Sequence, residues 1–330
     1  MRKQQILSLL SRRPGQYVSG EEMSRALEIS RAAVWKAIDG LRQEGYAISS
    51  TPNRGYRLDQ SPDKLSPGAL SALLPPGAVV GRELVVLEQV DSTNNEVKRR
   101  AAGSPEGLAV LAETQTAGKG RRGRTYSSPA GKGLYLSFLL RPELELAQVL
   151  PITAWTAVAV CNGVEAACGL RPGIKWTNDI ILNGRKLCGI LTELELEGES
   201  GGLGFVVVGA GINVSQTEAD FGPELAPLAV SLAQATGRVI RRDKLAGHVL
   251  TALNEMYAAF PGERDRWLAQ YRADCLTLGR EVRLIRNGGE EHALALDVNE
   301  DFGLVVRHRD GRLETISSGE VSVRGLLGYV

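Results

Sequence analysis

The chain has 330 residues, 43% hydrophobic and 23% charged, with a formal net charge of +1. That length allows two or three domains with true cores, and near-neutrality excludes the global basic field of a dedicated nucleic-acid coat protein. Four cysteines without a CxxC pair, no signal-peptide apolar region and no run of ~18 apolar residues predict a cytoplasmic chain with buried thiols and no membrane partner.

Residues 1–60 hold ten Lys/Arg against six Asp/Glu, an excess of four positive charges in an otherwise neutral protein. "KQQILSLLSRRPG" has helical apolar spacing and stops at Pro14-Gly15. A second helix follows Ser19, an N-cap with Glu22 placed for a capping box. A third, "RAAVWKAIDGLRQ", gathers Ala33, Val34, Ala37, Ile38 and Leu41 on one stripe. "YAISSTPNRGYRL" then alternates around a turn. Together these predict a winged helix-turn-helix in residues 1–62. Ser30, Arg31, Ala32 and Lys36 would meet DNA at the start of the recognition helix, and Arg54 at the wing tip.

A Pro- and Ser-rich stretch (59–77) reads as a linker leading into a short helix. Beyond it, strands and helices alternate to about residue 275. "LPITAWTAVAVCNGVEAACG" is apolar nearly all round and predicts a central buried helix, while Asn183-Gly184 predicts a tight hairpin turn. Residues 276–330 alternate in short strands with turns at "NGG", "EDFG" and "RDG", the pattern of a small antiparallel barrel. The fold class expected is thus α+β and multidomain, divided at 1–62, 63–275 and 276–330.

Three clusters carry the chemistry. "AGKGRRGR" places Lys119, Arg121, Arg122 and Arg124 among glycines. It matches G-x-G-x-x-G, but Pro129, Gly131, Gly133 and then a strand follow where a dinucleotide site needs a helix. "AGKG" (130–133) lacks the Ser/Thr of a P-loop. Four like charges within six residues repel one another without an anion, so the loop is expected to close over a negatively charged ligand. "KWTNDIILNGRK" adds Lys175, Asn178, Asp179 and Lys186. Asp179 with Asn178 is placed to hold a phosphate-bound Mg²⁺, and an Asx turn is the structural alternative. "DSTNN" sets Ser92, Thr93 and Asn94 after a strand, where helix capping is the plain account. With no histidine nearby and no nucleophile motif, the site is built for positioning and charge stabilisation.

"DSTN", "QTAGKGRRGR", "KWTNDIILNGRKLCGIL" and "GAGIN", in this order behind a winged helix, resemble the bifunctional biotin–protein ligase / biotin operon repressor family. The similarity runs through the final "GEVSVR" and covers nearly the whole chain. It implies a class II synthetase-like catalytic domain and an SH3-like C-terminal barrel. It also implies a two-step reaction: biotin and ATP with Mg²⁺ form biotinyl-5′-AMP, which a lysine of the biotin carboxyl carrier protein of acetyl-CoA carboxylase then attacks. By motif, Ser92, Thr93, Asn94, Gln115, Lys119, Gly120 and Arg121 contact biotin. Lys186 also binds biotin, bridging its carboxylate and the phosphate, and with Arg121 and Arg124 carries catalysis. Gly118, Arg121, Arg122, Arg124, Lys175, Asn178, Asp179 and Asn213 lie on the ATP and metal side. Homodimerisation on adenylate binding and a two-fold operator DNA complete what the resemblance implies. Rival readings are a biotin sensor with weak ligase activity and a ligase of another acyl group such as lipoate. Three departures stand out: Lys119 where the family usually has Arg, Tyr126 for Trp, and Thr177 for Pro. Lys119 keeps its charge but lacks the bidentate fork.

Overall fold

The computed structural model describes residues 2–52, 54–196, 202–286, 289–317 and 322–325. Helices α1 (Arg2–Ser11), α2 (Gly20–Leu27) and α3 (Arg31–Gln43) and the hairpin β1 (Ala47–Thr51)–β2 (Gly55–Gln60) form the N-terminal unit. Its core gathers Ile6, Leu10, Met23, Val34, Ile38 and Leu41, the face that the sequence spacing requires. Ser19 caps α2 by accepting from the Glu22 N–H at 3.0 Å, but the Glu22 carboxylate bonds Arg13 instead of closing the capping box.

The linker leads into a short helix, as its sequence predicts. Short helix α4 (Pro67–Ser71) sets Ala69 in the N-terminal core and Leu70 in the central one, so the two units share it. Behind it, Arg242 is buried with Glu113 at 2.5 Å and also bonds Asp63 in its side chain and carbonyl.

The central unit is a seven-stranded mixed sheet in the order β3-β4-β5-β9-β8-β7-β6. Its strands are β3 (Glu83–Val90), β4 (Leu108–Gln115), β5 (Gly133–Leu140), β6 (Gly173–Lys175), β7 (Asp179–Leu182), β8 (Arg185–Leu196) and β9 (Leu203–Asn213). Helix α5 (Thr93–Arg100) connects parallel β3 and β4 and covers one sheet face. After the one-turn α6 (Leu146–Val149), helix α7 (Ile152–Cys168) lies in the core with twelve of its seventeen residues buried, as its all-round apolarity predicts. The stretch Leu146–Cys168 is long and apolar enough to cross a membrane, but here it packs inside the protein. Short helices α8 (Glu218–Leu225) and α9 (Leu232–Thr236) lead to α10 (Arg242–Ala259) and α11 (Arg264–Asp274), which join α7 on the second face.

Cover on both faces explains β5, in which all eight residues are buried. Leu134, Leu136, Phe138 and Leu140 point to α7 and α10, whereas Leu139 and Ser137 point to α5. All four cysteines are buried and free.

Strands β10 (Glu281–Arg286), β11 (Gly289–Val298), β12 (Leu304–His308), β13 (Leu313–Ile316) and β14 (Ser322–Gly325) form an antiparallel sheet in the order β13-β12-β11-β10-β14. This ladder is compatible with the small barrel expected. The turn residues Asn287 and Gly288, and Gly319 to Val321 of the "GEVSVR" stretch, lie outside the described residues. The C-terminal unit is bolted to the end of β6: Leu276 N–H donates to the Ile174 carbonyl at 2.8 Å, Trp176 N–H to Thr277 Oγ1 at 3.0 Å, and Trp176 Nε1 to the Phe302 carbonyl at 2.9 Å.

Candidate active site

On the α5 face of the sheet, β9 presents Val207, Gly209 and Gly211 in alternation. Val207 lies under α5, but the two glycines carry no side chain and leave a hollow beyond the helix N-terminus. The space is needed: a Cβ on Gly209 would stand 2.0 Å from Asn94 Oδ1, and one on Gly211 2.6 Å from the Tyr126 ring. The result is a cavity of about 440 Å³ walled by strands β6 to β9, α5, the basic loop and one residue of the C-terminal unit.

A single row of register partners crosses its floor, running Lys175, Asp179, Gly189, Gly211 and Tyr135 over five strands. Lys186 reaches the same face because of a β-bulge between Ile180 and Ile181. Strict alternation would have put Lys186 and Cys188 on one side; the bulge sends Leu187 and Cys188 into the core while Lys186 and Gly189 line the cavity. The Lys186 backbone is clamped at both ends, its N–H donating to the Leu228 carbonyl at 2.8 Å and its carbonyl accepting from Val230 N–H at 2.9 Å. Its Nζ pairs with Asp179 Oδ1 at 2.5 Å.

At the opposite end the walls are neutral and polar. Ser92 occupies the N-cap position of α5 without making a side-chain cap, so its buried hydroxyl is not spent on the helix. Gln115 Oε1 accepts from the Thr93 N–H at 2.8 Å, and Ser137 Oγ donates toward Thr93 Oγ1 (2.7 Å) or Asn94 Oδ1 (2.6 Å). Asn94 Nδ2 donates to Glu193 at 2.8 Å, and Glu193 is paired with Lys98 at 2.8 Å. Burial pulls the Glu193 carboxyl upward, but hydrogen bonds from Lys98 and Asn94 outweigh it and leave the group below its ordinary range.

The basic loop is folded on itself. Gly120 N–H donates to the Arg124 carbonyl at 2.7 Å and Tyr126 N–H to the Gly118 carbonyl at 2.8 Å. One 3-10 turn spans Arg121–Gly123, with Arg122 (φ 57°) and Gly123 (φ 72°) in left-handed conformation. This turn is too short for the helix N-terminus of a dinucleotide fold. Arg121 is half-buried and donates to Asn178 Oδ1 at 2.8 Å. Burial lowers its pKa, with Asp179 opposing and the Arg122 charge adding to the fall. Arg122 and Arg124 stay exposed at the mouth, and Lys119 reaches Asn95 at 2.5 Å and Glu193 at 3.8 Å. Tyr126 lies over Gly211 and bonds its carbonyl at 2.7 Å.

The fold therefore brings Ser92, Thr93, Asn94, Gln115, Lys119, Gly120, Arg121, Arg122, Arg124, Lys175, Asn178, Asp179 and Lys186 to one cavity. It does not bring Gly118 or Asn213 to the wall. Gly118 sits where a Cβ would meet the Tyr126 carbonyl at 2.4 Å. Asn213 spends its amide on the Lys186 and Val230 carbonyls and on Gln216, tying three segments behind the floor. Asn178 Oδ1 accepts from Arg121, and its amide reaches across to the Ile190 carbonyl at 2.8 Å. Sequence reading missed Ser137, Glu193 and Arg283. A serine in an otherwise apolar buried strand was the one available signal for Ser137; Glu193 lies just past the end of "KWTNDIILNGRKLCGIL" and Arg283 in another unit. Among the described residues no cluster of three His, Cys, Asp or Glu gathers for a metal.

In the N-terminal unit, Ser30 caps α3 (Ala33 N–H at 3.2 Å), and Arg31, Ala32 and Lys36 are exposed beside it. Arg31 pairs with Glu21 at 2.9 Å, and Arg54 stacks on the Tyr17 ring at 4.7 Å. Trp35 on the same face is 60% exposed, a residue that the apolar stripe of α3 leaves on its outer side.

Three family models match this chain: an HTH domain over residues 2–57, the biotin/lipoate A/B protein ligase family over 86–213, and the biotin protein ligase C-terminal domain over 277–324. The bifunctional ligase/repressor BirA of Bacillus spizizenii is 35% identical over 97% of this chain and 98% of its own. That of Escherichia coli K12 is 30% identical, covering 97% and 96%. The biotin protein ligase from Aquifex aeolicus in complex with biotin and ATP aligns at a TM-score of 0.64 and 30% identity, over 74% of this chain and 99% of that one. Fold and site thus define a ligase-type catalytic unit carrying a helix-turn-helix. The chain belongs to the biotin protein ligase family, among its bifunctional ligase/repressors.

Proposed function

We propose that this protein activates biotin with ATP to biotinyl-5′-AMP and transfers the biotinyl group to a lysine of a biotin carboxyl carrier protein. The observation that carries the reading is the placement of clamped Lys186 between a neutral polar pocket and a cation-lined one. Biotin lies against Ser92, Thr93, Asn94 and Gln115, with Lys119, Gly120 and Arg121 closing over it. ATP lies toward Arg122, Arg124, Lys175 and Asn178.

In the first step a biotin carboxylate oxygen bonds to the α-phosphorus and pyrophosphate leaves with the broken P–O bond. Anion meets anion, so the barrier is largely electrostatic, and fixed donors on Lys186, Arg121 and Arg124 lower it. The loop excludes water from the mixed anhydride. In the second step the acceptor amine attacks the acyl carbon and AMP departs. Asp179 is the one carboxylate among the described lining residues, which fits a Mg²⁺ held by a single carboxylate and substrate phosphates. Bound there, the ion would neutralise phosphate charge.

Residues 1–62 bind operator DNA, with α3 and Arg54 facing it, and the adenylate-bound protein pairs into a homodimer matched to a two-fold site in the cytoplasm. The helix-turn-helix match and the ligase/repressor relatives support this part. Incubation with ATP, biotin and the carrier domain tests the ligase; no biotinylated carrier would sink it. The same mixture with lipoate tests acyl specificity. Removing residues 1–62 is expected to abolish operator binding and spare adenylate formation.

A further inference from the structure

Among the described residues, seven Lys or Arg line the cavity against one Asp, and six of the seven belong to the motifs of the central unit. The seventh, Arg283, comes from β10 of the C-terminal unit. Among the described residues its buried Nε has no hydrogen-bond partner, a condition that structures rarely leave standing around a guanidinium. Its described contact is Nη1 to Glu290 Oε2 at 3.3 Å, a half-exposed ion pair on the neighbouring strand that holds the group weakly.

The position of Arg283 is rigid relative to the site floor. The three bonds from Ile174 and Trp176 to Leu276, Thr277 and Phe302 fix its unit directly beside Lys175, and Tyr271 of α11, bonded to the Thr177 carbonyl at 3.2 Å, packs its ring against Phe302 of that unit. Sheet order then sets the sequence of groups across the cavity. The neutral pocket lies under α5, Lys186 follows on β8, Asp179 on β7, Lys175 on β6, and the C-terminal unit lies past that edge. A cation at this far end, beyond the one assigned to the α-phosphate, matches the β- and γ-phosphates of the nucleotide.

We propose that Arg283 binds the pyrophosphate portion of ATP and stabilises it as it leaves, so that the C-terminal unit supplies part of the adenylation site. This rests on the ligase reading above. When the α-phosphorus bonds to the biotin carboxylate, the bridging oxygen takes the electron pair of the broken bond, and the guanidinium neutralises the charge that appears there.

The test uses the full chain with Arg283→Gln and Arg283→Lys, inorganic pyrophosphate as the probe, and thermal midpoints to confirm folding. Arg283→Gln is expected to raise the KM for ATP and the inhibition constant for pyrophosphate, each about tenfold, the size of one lost charge-assisted contact. Its KM for biotin, and biotin transfer from supplied biotinyl-5′-AMP to the carrier, stay unchanged. Arg283→Lys recovers most of the pyrophosphate inhibition. Unaltered pyrophosphate inhibition, or a defect confined to the KM for the carrier protein, would overturn the assignment. If the unmutated protein makes no adenylate, the ligase reading itself falls.

Discussion

Lys186 Nζ lies 2.5 Å from Asp179 Oδ1 across the β7–β8 hairpin, and both groups face the floor of the cavity. The pair holds the ammonium in place without substrate, and an incoming phosphate competes with the carboxylate for it. Replacement of Lys186 by Ala removes a preorganised donor from the reacting centre and is expected to slow adenylate formation by roughly 10²–10³-fold. Pyrophosphate release measures this, with circular dichroism as the control for folding. An unchanged release rate would take Lys186 out of its role.

Gly209→Ala places a methyl 2.0 Å from Asn94 Oδ1, a buried atom that already accepts from Ser137. Asn94 has to leave its network with Glu193, and overpacking of this kind costs about 1–3 kcal/mol. Biotin affinity measured by calorimetry is expected to fall at least about tenfold, since 1.4 kcal/mol is a factor of ten. Tight biotin binding in a folded Gly209→Ala protein would show that Asn94 does not face the ligand.

The pair of Arg242 and Glu113 tests how the linker is held. Both side chains are buried, and removing one partner strands the other charge at a cost of roughly 3–5 kcal/mol. Arg242→Ala is expected to lower the thermal midpoint by about 10 °C. Arg242→Met with Glu113→Gln recovers part of that loss. No buried charge is then left unpaired, since Asp63, the other partner of Arg242, is half-exposed, and the new side-chain amide keeps an oxygen to accept from the Leu65 N–H, as the Glu113 carboxylate does. An additive double variant would rule out coupling between them.

Acid sensitivity has a defined sign. The Glu193 carboxyl is held below its unfolded value, so its stabilisation is complete above about pH 4.3 and disappears as pH falls through the lower folded value. Asp91 beside Arg99 is shifted in the same direction. Urea midpoints are expected to stay level from pH 7 to about 5 and to fall below about 4.3. Glu193→Gln flattens part of this fall; identical acid profiles for both proteins would count against the Glu193 contribution.

Local chemistry alone determined much of this protein. Asn183 and Gly184, both at positive φ (51° and 72°), make the tight turn that their side chains favour. Ser30 and Ser19 cap the helices they precede, and the helix of residues 152–168, apolar nearly all round, is mostly buried. Each follows from interactions within a few residues, which a sequence displays directly. The basic loop and the "KWTND" motif were legible as a site for the same reason. Only the tertiary structure decided which residues meet. The bulge beside Ile180 turns Lys186 into the cavity, and pairing across four strands aligns Lys175, Asp179, Gly189 and Gly211. Ser137 and Glu193 join Asn94 from strands far along the chain, and Arg283 arrives from another unit. Register and domain docking are set by the packing of whole faces, so no short window of sequence contains them.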